Sequence, residues 1–311
     1  MPDNHLNSVD KKKDNYEPLL DRVASWWNSD TDYNISNKKA KEQNKPSEIH
    51  VNRKNFSLER WTDQRVQILE ILWGTGTRIP GDAAFNKILF KTGSLTSKSK
   101  ILDLAVGLGN CARMMAKDSF AHIDVIETYP DLLPYFNKLT REHKLDRFLF
   151  TLKGNLVDVK LTKAKYDLIY GREVFFKIKN KQHVIEKCID SLSTRGSFIF
   201  TDFILEKDAS SYGIFKNWSQ RENGIIYPIS EGVYRKIFSG LDMKFIQPID
   251  YSKQYIHYVN MGWVRLKQYL EVNKFDDAFV DIMIEESELW LSRVRALESG
   301  KLKLLRFHIV Y

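Results

Sequence analysis

The chain has 311 residues, a net charge of +8 and two cysteines, Cys111 and Cys188. Two cysteines exclude a disulfide framework and suit a reducing compartment, and no apolar run approaches the ~20 residues of a membrane-spanning helix. The length suffices for one enlarged domain with a large core, while the basic excess favours anionic partners without choosing among metabolites, membrane surfaces and RNA.

Residues 1 to about 55 read as a polar leader, with Lys11–Lys13 and 38–45 too hydrophilic to repay the entropy of folding. Within it, Leu19, Leu20, Val23, Trp26 and Trp27 fall at helical spacing, a short amphipathic helix able to dock on its own domain, a protein partner or a membrane surface. The first residues carry no apolar signal-peptide core, so a cytoplasmic protein is expected. Val66, Ile68, Leu69 and Leu72 predict a helix over 61–73, closed by Gly74-Thr75-Gly76. Strands are then expected at 100–105, 122–127, 147–152, 166–170 and 197–201, with helices between them, one over 182–192. That alternation predicts an α/β fold, a mostly parallel sheet with helices on both faces. Beyond Asp202 it breaks down. Residues 207–240 and 259–298 read as helical elements of a lid, and 243–250 and 304–311 as the last two of seven strands, within a domain spanning 56–311.

The chemistry concentrates after the first strand. Asp103-Leu104-Ala105-Val106-Gly107-Leu108-Gly109 turns a buried strand into a helix, with glycines where a ligand's polar group can approach the backbone. Glu127 ends the next strand 18 residues beyond Gly109, where a nucleotide-binding βαβ unit places a carboxylate for ribose hydroxyls. Strand, glycine turn and terminal acid together indicate an adenosine-containing ligand. The dinucleotide fingerprint fails, because Ala112 stands where its third glycine would be, and the phosphate-cradling lysine loop is absent here.

The arrangement Asp103-x-Ala105-x-Gly107-x-Gly109 resembles motif I of the class I S-adenosylmethionine-dependent methyltransferases, which implies a Rossmann-like seven-stranded fold with S-adenosylmethionine as cofactor. The family more often has glycine at the Ala105 position. Asn155, after the third strand, stands where these enzymes have an aspartate at the adenine amino group. The stretch from Ile169-Tyr170-Gly171-Arg172-Glu173 through Lys177 resembles the phosphoethanolamine N-methyltransferases, as do Thr62–Gly74, Phe200–Phe203, and Trp290–Arg293 through Phe307. This resemblance spans roughly residues 60–311. It implies methyl transfer to nitrogen or oxygen of a small anionic or zwitterionic molecule or lipid head group. It also implies a cofactor site of Asp103, Ala105, Gly107, Gly109, Glu127, Asn155 and Arg172. Glu173 would meet the substrate amine, and Arg221 and Arg293 its phosphate.

The departures are equally specific. Counting along the matched segments puts Trp61 where the family has its catalytic tyrosine and Lys177 where it has its histidine. Tryptophan cannot accept a proton, and lysine acts as a base only with a depressed pKa. Glu173 and Lys177 are therefore the catalytic candidates, with Trp61 lining the substrate pocket. Trp61, Trp73, Phe175, Phe176 and Phe203 could box a methylated ammonium or could simply be core. The alternative is a catalytically inactive methyltransferase-like binding or assembly protein, since fold does not establish activity. Isolated His257 and His308 lack ligand-spaced companions, so no metal is expected, and without zinc-finger or RNP-type motifs nucleic acid is an unlikely partner.

Overall fold

The computed structural model describes residues 61–91, 95–206, 213–222 and 224–311. The leader expected at 1–55, with its amphipathic helix, lies outside the described residues.

Helix α1 (Asp63–Trp73) begins where the Thr62 hydroxyl accepts from the Arg65 amide at 3.2 Å and ends at Gly74, whose φ of 96° breaks the helical path. Val66, Ile68, Leu69 and Leu72 face inward, as their spacing requires. Helix α2 (Ala83–Phe90) is capped by Asp82. Then come β1 (Lys100–Asp103), α3 (Asn110–Ser119), β2 (His122–Val125), α4 (Leu133–Glu142), β3 (Leu149–Thr151), β4 (Tyr166–Arg172), α5 (Lys181–Ser191) and β5 (Leu192–Leu205). The C-terminal part holds α6 (Gly213–Arg221), α7 (Glu231–Ser239), β6 (Lys244–Asp250), α8 (Ser252–Val272), α9 (Asp277–Glu298) and β7 (Leu302–Val310).

The strands form one seven-stranded sheet in the order β3-β2-β1-β4-β5-β7-β6, parallel except for β7, which runs antiparallel to both neighbours. Side chains alternate across it. Leu102, Ile169, Phe198 and Phe200 pack on one face with Val184, Cys188, Tyr234 and Phe238 from α5 and α7. Ile101, Leu168, Tyr170 and Ile199 pack on the other with Ala112, Met115 and Phe136 from α3 and α4. Burial on both faces explains why these strands read as near-continuous apolar runs.

Three expectations need correction. The strand expected at 197–201 runs from Leu192 to Leu205, because β7 pairs with it continuously from Ser197 to Leu205. The segment 259–298 is two helices broken at 273–276, where Asp276 caps α9 by accepting from the Phe279 amide at 2.8 Å. Within 207–240 the described helices are separated by an extended stretch that bridges Ile229 to Ile204.

Candidate active site

Two adjoining clefts open beyond the carboxyl ends of the parallel strands, where this topology places ligands. The first lies on the turn between β1 and α3. Gly107 (φ 56°) and Gly109 (φ 89°) are both left-handed, a conformation that glycine adopts without the Cβ penalty. A Cβ on Gly109 would sit 2.5 Å from the Phe136 ring. The turn is fastened by carboxylates. Asp103 accepts from the Ala105 amide at 3.1 Å, and Glu127 accepts from the Gly107 amide at 2.6 Å and from the Tyr129 amide at 2.8 Å. Arg113 ties it to the 74–76 loop, donating to the Leu108 carbonyl at 2.6 Å and the Gly76 carbonyl at 3.3 Å. Burial pushes the Asp103 carboxyl up to about 7. Arg172, at the end of β4, donates to the Asn86 side-chain oxygen at 2.6 Å and to the Pro80 carbonyl at 2.7 Å, but its buried Nε has no partner.

This cradle fits S-adenosylmethionine. It offers a turn with two left-handed glycines, an acid at or just beyond the end of each of the first two strands, and an orphaned guanidinium N–H in the cleft wall. Each Glu127 oxygen keeps acceptor capacity for ribose hydroxyls after binding its amide.

The second cleft is walled by α1, α9 and the segment after β4, with aromatic faces from Trp61, Tyr129, Phe176 and Trp290. Its floor is a buried charge network. Glu173, the residue after β4, has φ 53°, strained for a residue with a side chain. Its Oε2 accepts from the Tyr255 hydroxyl at 3.1 Å and from Arg293 at 3.4 Å, while its buried Oε1 accepts no hydrogen bond. Arg293 donates from Nε to Glu222 at 2.6 Å and from Nη2 at 2.9 Å, and Trp218 donates to the same carboxylate at 2.8 Å. Lys177 lies 3.7 Å from Glu222, and Arg65 pairs with Glu286 at 2.6 Å. Burial alone would raise the Glu222 carboxyl, but the Arg293 and Lys177 cations beside it hold it below the usual carboxylate range.

Most of the residues singled out in the sequence meet here. Asp103, Ala105, Gly109 and Arg172 line the first cleft, with Gly107 and Glu127 hydrogen-bonded behind it, and Trp61, Glu173, Lys177 and Arg293 line the second. Two do not. Arg221 pairs with Glu288 of α9, and neither residue lines the cleft. Asn155 is exposed, and its side-chain oxygen caps a turn by accepting from the Val157 amide at 2.8 Å and the Asp158 amide at 3.0 Å. Of the five aromatics considered as a box, Trp61 and Phe176 line the cleft, whereas Trp73, Phe175 and Phe203 are core. Sequence reasoning missed Glu222, Glu286, Tyr129 and Arg78. Only the position of Glu222, four residues after Trp218 on a helical spacing, gave a local signal.

Residues 102–200 match a family model described as a methyltransferase domain. A phosphoethanolamine N-methyltransferase from Plasmodium falciparum is 22% identical over 252 residues, covering 80% of this chain and 91% of that protein. The structure of Haemonchus contortus phosphoethanolamine N-methyltransferase 2, in complex with phosphomonomethylethanolamine and S-adenosylhomocysteine, superimposes with a TM-score of 0.71 at 16% identity. That match covers 80% of this chain and 58% of the Haemonchus chain, so the present chain spans little more than half of it. A Galdieria sulphuraria protein described as a sarcosine dimethylglycine methyltransferase gives a TM-score of 0.61 at 18% identity, covering 70% of this chain and 80% of its own. Sheet order, glycine turn and matched segment agree: the chain carries a methyltransferase domain, at residues 102–200, in the Rossmann-like fold of the S-adenosylmethionine-dependent methyltransferases.

Proposed function

We propose that this protein transfers a methyl group from S-adenosylmethionine to the nitrogen of a small zwitterionic amine. One observation carries the reading: Glu173 lines an aromatic-walled cleft beside the cofactor cradle, and its buried Oε1, 3.8 Å from the Arg172 guanidinium, accepts no hydrogen bond. An unsatisfied buried acceptor is costly, and an amine N–H supplies the missing donor. The relatives named for phosphoethanolamine and sarcosine methylation act on small amines with an anionic end, which supports the same class here.

Bound at the glycine turn, the cofactor supplies a methyl group already activated as a sulfonium. The chain's own work is therefore positioning and desolvation. Asp103 and Arg172 hold the methionine end, Glu127 the ribose. Glu173 would orient the amine with its lone pair toward the activated methyl group and accept the proton released as the N–H bond breaks, leaving that bond's electron pair on nitrogen. Trp61, Tyr129 and Trp290 exclude water and face the growing positive charge with their rings. Lys177, paired with Glu222, helps hold the acidic floor in place.

The test is product formation. Phosphoethanolamine, glycine and sarcosine are each incubated with labelled S-adenosylmethionine, and transfer to the amine is measured for wild type and Glu173→Gln. Transfer to at least one amine, reduced at least about 100-fold in the variant, supports the reading. Bound cofactor without transfer to any amine supports instead the binding or assembly protein.

A further inference from the structure

We infer that Arg78 is the residue that recognises the anionic end of the acceptor, and that it sets the preference for acceptors carrying such an end. The inference rests on the second cleft being the acceptor site.

The charges around that cleft lead to it. Four cations line it: Arg65, Arg78, Lys177 and Arg293. Three are already committed to buried carboxylates. Arg65 is held by Glu286 at 2.6 Å, Arg293 grips Glu222 with two donors and also reaches Glu173, and Lys177 shares Glu222 at 3.7 Å. A bidentate, desolvated guanidinium–carboxylate pair has its donors and its charge satisfied, so it has little left for a third partner. The resemblance assigned anion binding to Arg221 and Arg293. Here Arg221 faces Glu288 and Arg293 is neutralised.

Arg78 differs. Among the described residues it makes no hydrogen bond and no ion pair, and it is only partly exposed. Its stem and Nε lie across the glycine turn, since a Cβ on Gly107 would meet its Nε at 2.6 Å, its Cδ at 3.0 Å and its Cγ at 3.3 Å. Its guanidinium continues into the second cleft, 5.5 Å from the Trp61 ring centroid and 6.0 Å from that of Tyr129. Cation–π proximity to two rings leaves its N–H donors unused, an arrangement that suits a carboxylate or a phosphate. Arg78 thus borders both clefts: its Nε lies over the glycine turn, where its charge acts on Asp103, while the guanidinium carbon faces Trp61 and Tyr129, which line only the second cleft.

The experiment uses the full chain saturated with S-adenosylhomocysteine, titrated calorimetrically with sarcosine, phosphoethanolamine and ethanolamine, the last having no anionic end. Arg78→Met keeps the stem and removes the charge; Arg78→Lys restores a charge without the fork. The expected result is that Arg78→Met weakens sarcosine or phosphoethanolamine at least about tenfold and ethanolamine less than about twofold, with Arg78→Lys intermediate. Comparing the two anionic acceptors separates carboxylate from phosphate. Equal losses on ethanolamine, no loss at all, a matching loss of S-adenosylhomocysteine affinity, or no binding of any of the three to wild type would overturn the inference. Because binding is read without turnover, Arg78-dependent binding with no methyl transfer would defeat the methylation reading and leave this one standing.

Discussion

Replacing Glu222 by glutamine puts the buried charge network to a direct test. The carboxylate is fully buried and accepts from Arg293 at 2.6 and 2.9 Å and from Trp218 at 2.8 Å, with the Arg293 side chain only 7% exposed. Glutamine preserves shape and one acceptor oxygen but removes the charge, leaving Arg293 compensated only by Glu173 at 3.4 Å. Breaking one partner of a buried pair costs about 3–5 kcal/mol. For a domain of this size that lowers the melting temperature by roughly 6–20 °C. The assay is urea and thermal unfolding of the two proteins. Adding Arg293→Met to the variant should recover part of the loss, because the uncompensated charge is then gone. The pH dependence has a fixed sign: Glu222 titrates below its ordinary value of 4.5 in the fold, so its contribution is complete above that pH and is lost as the pH falls through the folded value. A Glu222→Gln loss below about 1 kcal/mol at neutral pH would refute the claim that this pair is desolvated and that Arg293 is neutralised by it.

Three further outcomes are expected. Gly107→Ala forces a side chain into φ 56° and places its Cβ 2.6 Å from the Arg78 Nε, so S-adenosylhomocysteine affinity should fall at least about tenfold by calorimetry; unchanged affinity would remove the turn from the cofactor site. Burial lifts the Asp103 carboxyl to about 7, so the ionised form that pairs with a cationic ligand group gains population as the pH rises through that value. Cofactor affinity should accordingly climb between pH 6 and 8 and be flat in Asp103→Asn, and a flat wild-type profile would contradict this role. Glu127→Ala strips the acceptor from the Gly107 and Tyr129 amides, at about 1–3 kcal/mol for each group left unsatisfied. The cofactor-induced rise in melting temperature should shrink in that variant, and an undiminished rise would place the ribose elsewhere.

The sheet was legible in the sequence because strands buried on both faces are written as apolar runs, and Ile101–Leu104, Ile123–Ile126 and Phe198–Thr201 have no competing period. The cradle was legible because Gly107, Gly109 and Glu127 are local to two strand ends. The acceptor cleft was far less so. Glu222 follows α6 while Glu286 and Arg293 lie on α9, and pairing a carboxylate with a particular arginine 71 residues away is a property of packing, which no local spacing encodes. Arg221 and Glu222 show the limit plainly. Neighbours on α6 and its end point to different environments, so a one-residue choice moves a charge from the interior to the surface. Asn155 illustrates a different limit: its side-chain oxygen accepts from nearby backbone amides in a tight turn, a local arrangement its position alone did not reveal.

Arg172 and Glu173 are consecutive, yet one borders the cofactor cradle and the other the acceptor cleft. At this point a single ~3.8 Å step of backbone separates the linings of the two clefts, at the end of β4. The opposite wall of the second cleft is formed by Trp61, just before α1, and by Glu286 and Trp290 of α9, so its lining can vary without disturbing the strand end that carries Arg172 and Glu173.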